Sequence, residues 1–180
     1  DSRRGETRYS YTPTGQRERA EYPDGRVQWR KSDQTGNLYP DPDMRLRRYL
    51  GGGRLEQDGE WHCEYDADGN LTERYLGTGR WLDGKKDRWR YRWNADGSLA
   101  KVVRPDKREV EFTYDALGRR LSKSFGTTVT RWVWNGNVPL HQWKQHREYS
   151  VVEDRWHTDT ERRDMTVWLF DEESFVPVAM

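Results

Sequence analysis

The residues of this chain that could do chemistry are four histidines, one cysteine and thirty-one carboxylates. His62 and Cys63 are adjacent, and His141 and His146 form a histidine pair. Neither set has the spacing of a zinc site. No Gly-x-Ser-x-Gly, His-Glu-x-x-His or phosphate-binding loop occurs. A hydrolase would need its nucleophile, base and orienting acid brought together by the fold alone. Asp171, Glu172 and Glu173 form an acidic trio that reads as a solvated turn. The expectation is therefore a protein that is not an enzyme, with no catalytic residue, no metal and no cofactor.

The aromatic residues are the second candidate group. Trp89, Tyr91 and Trp93 alternate with Arg90 and Arg92, after Arg88, and Trp132 and Trp134 flank Val133. Aromatic rings beside arginines can stack nucleic-acid bases or sugars. Period-2 alternation, however, puts Arg on the face opposite the rings, where a stacking platform wants both on one face. Net charge is only +1, from 32 basic and 31 acidic residues. No nucleic-acid partner is expected on that balance. Trp89, Tyr91, Trp132 and Trp134 are read as packing or wall-lining rings, with ligand stacking as the alternative.

Composition pulls two ways. Charged residues make up 35% of the 180 and apolar residues 32%, with a mean hydropathy of -1.27. Such values suit a disordered chain. Yet there are 10 Trp, 10 Tyr and 4 Phe, and each ring can bury roughly 150–250 Å². A thin aromatic core spread along a sheet reconciles the two. Cys63 is the only cysteine, so no disulfide forms within the chain. No apolar run reaches the ~18 residues of a membrane span, and no signal-peptide pattern opens the chain. The sequence opens at Asp1 without Met and reads as a fragment or a processed product.

Those rings are organised by a repeat. An aromatic residue stands four before a glycine at Tyr11–Gly15, Tyr65–Gly69, Trp93–Gly97 and Tyr114–Gly118. Ser32–Gly36 keeps the spacing and loses the ring. Gly15 to Gly36 and Gly97 to Gly118 are both 21 residues. A second, shorter turn follows at a fixed offset, Pro23-Asp24-Gly25 and Pro105-Asp106-Lys107. Each repeat is thus two strands and two turns, with Asp or Asn folding onto the backbone and Gly taking the left-handed position. Insertions are expected near 39–53 and 77–86. About 14 to 16 short antiparallel strands and little helix follow. After Gly126 the beat is lost, but strands are expected at Thr128–Trp134, Leu140–Lys144, Arg147–Glu153 and Thr166–Phe170. Asn135-Gly136 signals a type I′ hairpin, and His157–Asp164 a polar loop.

Tyr65-Asp66-x-x-Gly69-Asn70-Leu71 and Tyr114-Asp115-Ala116-Leu117-Gly118-Arg119-Arg120-Leu121 resemble the YD repeats of the Rhs family. The run Thr130–Asn137 resembles the segment after the last such repeat. Thr166–Phe170 with Ser174-Phe175-Val176-Pro177 resembles the Ser-Phe-x-Pro strand of the Rhs core. The resemblance covers roughly residues 60–180, and more loosely 1–59. It implies an all-β curved sheet of tandem antiparallel hairpins, an arc of a hollow β-shell. YD repeats would fill 1–125, and core-associated strands at 126–180 would continue the sheet. It also implies a bacterial polymorphic toxin, made in the cytoplasm and delivered by an export system, often type VI. The partners would be the rest of the shell, its C-terminal toxin and an export spike or adaptor. Tyr65, Asp66, Gly69, Trp93, Gly97, Tyr114, Asp115 and Gly118 are its structural signature here. The Asp-Pro-x-Gly-Leu self-cleavage motif of many Rhs proteins is not matched by Asp41-Pro42-Asp43-Met44. Some 15 strands at ~4.8 Å spacing would close into a ring only ~22 Å across. That is too narrow for a ~100-residue cargo with a radius of gyration near ~13 Å. An arc of wall, rather than a whole shell, is the expectation.

Overall fold

The computed structural model describes residues 5–77 and 86–170, and the backbone of Pro177–Ala179. Its chain divides into two compact units, Asp1–Lys86 and Asp87–Met180. The architecture is all-β and antiparallel, as expected. The described residues form nineteen strands and one short 3₁₀ turn, somewhat more strands than expected and several of them very short.

In the first unit, β1 (Arg8–Tyr11), β2 (Arg17–Glu21) and β3 (Val27–Trp29) form a meander. β4 (Lys31–Ser32) pairs with β5 (Leu38–Tyr39). β6 (Arg47–Tyr49), β7 (Leu55–Asp58), β8 (Trp61–Tyr65) and β9 (Leu71–Leu76) form a second meander. The expected insertion at 39–53 is a correction. It contains β6 and a further repeat turn, Leu50–Arg54, closed by Leu50 N–H donating to Arg54 O at 2.7 Å. The other expected insertion falls largely on 78–85, outside the described residues.

The second unit runs as a meander of β10 (Lys86–Trp93), β11 (Leu99–Val103), β12 (Glu109–Tyr114), β13 (Arg120–Phe125), β14 (Thr128–Asn135) and β15 (Val138–Ser150). β16 (Arg155–Thr158) and β17 (Arg163–Val167) both pair with β15, at different stretches of it. β18 (Leu169–Phe170) pairs with β19 (Pro177–Ala179). Pairing runs unbroken through Phe125, where the repeat pattern stops, because β13 and β14 are joined by the two-residue loop Gly126-Thr127.

Three details correct the sequence reading. The strands expected at 140–144 and 147–153 are one thirteen-residue strand, β15. It serves β14 along most of its length and β16 at its end, so no break is needed. The stretch 157–164 is not a plain loop, because its two ends lie in β16 and β17. The β14–β15 loop consists of Gly136 and Asn137, since Asn135 pairs with Val138. Of these two only Gly136 takes a positive φ, 55°. That is the sign pattern of a type II′ turn, with Gly first, and not of type I′.

The 21-residue beat comes from one turn used twice. In seven turns the N–H of the first residue donates to the carbonyl of the fifth, and the N–H of the fourth donates back to the first. They are Thr12–Gln16, Tyr22–Arg26, Asp33–Asn37, Asp66–Asn70, Asn94–Ser98, Arg104–Arg108 and Asp115–Arg119. The supposed shorter turn is therefore the same turn, met at alternate ends of the hairpins. In every case the fourth residue has a positive φ. Six of the seven place glycine there; Arg104–Arg108 places Lys107, at φ 65°. An L side chain in that conformation costs about 1–2 kcal/mol. Lys107→Gly is expected to raise stability by about 1 kcal/mol. Gly118→Ala, at φ 75° with open space around the added Cβ, should lower it by about 1–2 kcal/mol through backbone strain alone. Thermal or urea denaturation of the two variants checks both signs.

Candidate functional site

The functional element that the geometry defines is the rim of the sheet, where successive turns stack. Each turn holds itself by a side-chain oxygen that accepts the N–H of its fifth residue. In Asp33–Asn37, Asp66–Asn70 and Asp115–Arg119 the first residue supplies that oxygen, at 3.0, 2.8 and 2.9 Å. In Tyr22–Arg26, Asn94–Ser98 and Arg104–Arg108 the third residue does, through Asp24, Asp96 and Asp106 at 3.0, 2.9 and 3.1 Å. The Asp of the YD signature is thus one of two places from which the same donor can be satisfied.

The aromatic residue before the turn has a different duty. It sits at a bulge, where the register shifts by one: Tyr65 faces Leu71, Trp93 faces Leu99 and Tyr114 faces Arg120. From there Tyr114 Oη donates to Leu99 O at 3.0 Å, and Tyr65 Oη donates to Leu55 O at 2.8 Å. Tyr49 Oη donates to Leu38 O at 2.5 Å, and Trp134 Nε1 donates to Arg120 O at 2.8 Å. In all four the acceptor is the residue that immediately follows the preceding turn on the same rim. The rings therefore act as rungs that tie one turn to the turn before it. Tyr49 was missed in the sequence, although Tyr49 to Gly53 has the aromatic-x-x-x-Gly spacing. The triple glycine made that stretch look like an insertion.

The sheet faces are only thinly covered. Ala20, Tyr75, Val102, Val129 and Trp143 are the buried apolar residues among those described, and no large side chain is fully buried. Arginines do much of the covering. A dozen guanidinium–ring contacts within 6 Å of a ring centroid occur among the described residues. Arg74 lies 4.2 Å over Trp61, and Arg120 4.7 Å over Phe112. This corrects the separation of arginines from rings inferred from alternation. Trp89 and Tyr91 are half-buried while Arg90 and Arg92 are exposed. The arginine over Trp89 is Arg104, contributed from the far end of the next strand.

The opposite rim of the second unit carries a charge cluster around the buried Arg147. Arg147, 7% exposed, donates from Nε to Gly126 O at 2.8 Å, and its Nη1 reaches Glu111 at 3.3 Å. Its guanidinium lies 4.2 Å over Trp156. Lys101 bonds Glu109 at 2.6 Å and Glu111 at 3.1 Å. Burial pushes the Glu111 carboxyl up, but its bond to Lys101 and the charges of Lys101 and Arg147 bring it below the usual range. Glu109, Glu111, Arg147 and Trp156 also border an open cleft of ~250 Å³.

The structure places the other candidate residues as follows. Trp132 and Trp134 are half-buried, with Trp132 Nε1 donating to Gln142 at 2.9 Å. His62 stacks on Tyr75 with ring centroids 5.6 Å apart. Cys63 is a half-buried free thiol whose pKa burial pushes up. His141 and His146 lie on one strand, facing opposite sides of it. Among the described residues no group of three or more His, Cys, Asp or Glu could hold a metal ion, and no helix is long and apolar enough to cross a membrane. The trio Asp171–Glu173 lies outside the described residues.

No model of a protein family matches the chain. Among curated proteins, it is 32% identical over 150 residues to double-stranded DNA deaminase toxin A of Burkholderia cenocepacia. That alignment covers 76% of this chain and 10% of the relative. It is 26% identical over 121 residues to the probable deoxyribonuclease RhsB of Dickeya dadantii, covering 59% of this chain and 8% of the relative. The chain spans about a tenth of the length of these relatives. These similarities support a relationship to Rhs-type polymorphic toxins. Similar solved structures include the Tc holotoxin pore of Photorhabdus luminescens, at 15% identity and a TM-score of 0.46, over 79% of this chain and 7% of that one. A TcdB2–TccC3 structure matches at 12% identity and a TM-score of 0.39, over 92% of this chain and 12% of that one.

Two outcomes follow from the rim. Tyr65→Phe and Tyr114→Phe each remove one rung and leave the ring, and each should cost about 1 kcal/mol in urea denaturation. The turn carboxylates set the pH response. Hydrogen bonds from Thr35 and Asn37 lower Asp33 to about 2. Asp66 is lowered by the Asn70 N–H, Asp96 by Ser98 and Asp106 by Arg108. Groups lowered on folding stabilise the fold above the ordinary Asp range, and the effect is lost as pH falls through the folded values. Stability should hold from neutral pH down to about 4 and then fall steeply towards about 2. Circular dichroism at the β-sheet minimum along an acid titration reads it.

Proposed function

We propose that this chain is a wall segment of an Rhs-type toxin shell, which encloses a C-terminal toxin until delivery to a target cell. The observation that carries the reading is the rim ladder. A sheet whose turns are tied one to the next can extend indefinitely by adding repeats, without needing a second layer to pack against. The sequence similarity to Rhs-type toxins supports it. In this reading YD repeats occupy 1–125 and core-associated strands 126–180. The partners are the rest of the shell, the toxin and an export spike or adaptor. The protein is made in the cytoplasm and leaves through a bacterial export system. The chain itself performs no reaction, and the relatives' deaminase and nuclease names would describe cargo rather than wall.

Recognition of a carbohydrate or receptor through exposed rings is the competing reading. The half-burial of Trp89, Tyr91, Trp132 and Trp134 favours wall packing, as do the indole N–H groups of Trp132 and Trp134, spent within the sheet. The test is limited trypsin digestion of a polypeptide carrying this wall together with its downstream toxin. The toxin should resist cleavage in the intact protein and become cleavable when Tyr65, Tyr114 and Trp134 are replaced together by Ala. A toxin cut equally fast in both would contradict the enclosure. So would glycan-array binding that is lost on Trp89→Ala or Trp132→Ala with the fold intact.

A further inference from the structure

The ladder has a missing rung. The turn Asp33–Asn37 should be tied to Thr12–Gln16 by an aromatic residue at position 32, donating to the carbonyl of Arg17. Arg17 follows its turn as Leu38, Leu55, Leu99 and Arg120 follow theirs. Position 32 is Ser32, whose side chain is too short to reach across. At that place lies a cleft of ~600 Å³, lined by Gln16, Arg17, Arg30, Ser32 and Gln34 among others. Its volume falls within the ~300–1,000 Å³ of small-molecule sites.

The lining is suited to a ring. Two of the three rung tyrosines sit under guanidinium groups, Tyr65 under Arg54 at 5.9 Å and Tyr114 under Arg120 at 5.9 Å. Arg17 and Arg30 both line this cleft, with the Arg17 guanidinium already lying 5.7 Å over the Tyr9 ring. The Asp33 carboxylate also borders it, but is held by Thr35, Asn37 and Tyr39. We infer that this cleft is a binding site for a phenolic ring supplied from outside the repeat. The ring would lie against the arginines, and its hydroxyl would donate to the Arg17 carbonyl as the tyrosine rungs do to theirs. The phenol could come from a free small molecule or from a tyrosine side chain of a polypeptide; the chemistry recognised is the same.

The experiment is an NMR titration of the chain with p-cresol, with toluene as the ring lacking a hydroxyl. Saturable shifts of the Arg17, Ser32 and Gln34 amides are expected with p-cresol, and binding about tenfold weaker with toluene, the value of one hydrogen bond. Ser32→Tyr should fill the rung from within, abolish the p-cresol response and raise the thermal midpoint. N-acetyltyrosinamide and a tyrosine-centred pentapeptide are titrated in parallel. Equal affinity for the two assigns the site to free phenols, and tighter binding of the peptide assigns it to a polypeptide. No shift with p-cresol, equal affinity for p-cresol and toluene, or an undiminished p-cresol response in folded Ser32→Tyr would each overturn the inference.

Discussion

The structure depends on one hydrogen bond made repeatedly. Before four of the turns, a phenol or indole donor reaches the carbonyl that follows the turn before it. The bond uses a group that strand pairing alone leaves at the rim, and it runs between turns rather than within one. Its geometry requires the bulge, because only the register shift at Tyr65 and Tyr114 brings the ring to the rim. The bulge in turn requires the left-handed fourth residue of the turn. Turn chemistry, bulge and rung are therefore one device, and the aromatic-x-x-x-Gly spacing is its trace in the sequence.

A sheet held this way needs little core, which explains the composition. Few apolar residues are buried, yet the chain keeps 24 aromatic residues, from 10 Trp, 10 Tyr and 4 Phe. Arginine stems and guanidinium planes cover those rings, and each keeps a charged end in water. The interspersed charges pair across strands, as Lys101 does with Glu109 and Glu111. A low mean hydropathy and an ordered fold are then compatible. The usual link between low hydropathy and disorder assumes a core of aliphatic side chains.

Fold class and turn chemistry were legible because both are local. Period-2 alternation marked the strands, and Asp-Gly spacing marked the turns. The equality of the two turns in each repeat was not legible, because Lys107 takes the place of glycine and Pro23 and Pro105 disguise the pattern. Tyr49 was hidden by a triple glycine that looks like a linker. β15 looked like two strands because its partners change along its length, a property of its neighbours rather than of its own residues. The arginine–ring stacks were misjudged for a related reason. Alternation fixes the faces within a strand but says nothing of what the next strand lays over them, as Arg104 shows at Trp89.

Each rung stabilises a turn other than its own. Hydrogen exchange measured on individual amides of Tyr114→Phe tests it most directly. Protection should fall in the turn Asn94–Ser98 and at Leu99, which accepts the Tyr114 hydroxyl. The Gly126-Thr127 loop on the opposite rim should exchange as before. Loss of protection confined to Asp115–Arg119, or spread evenly over the unit, would contradict it.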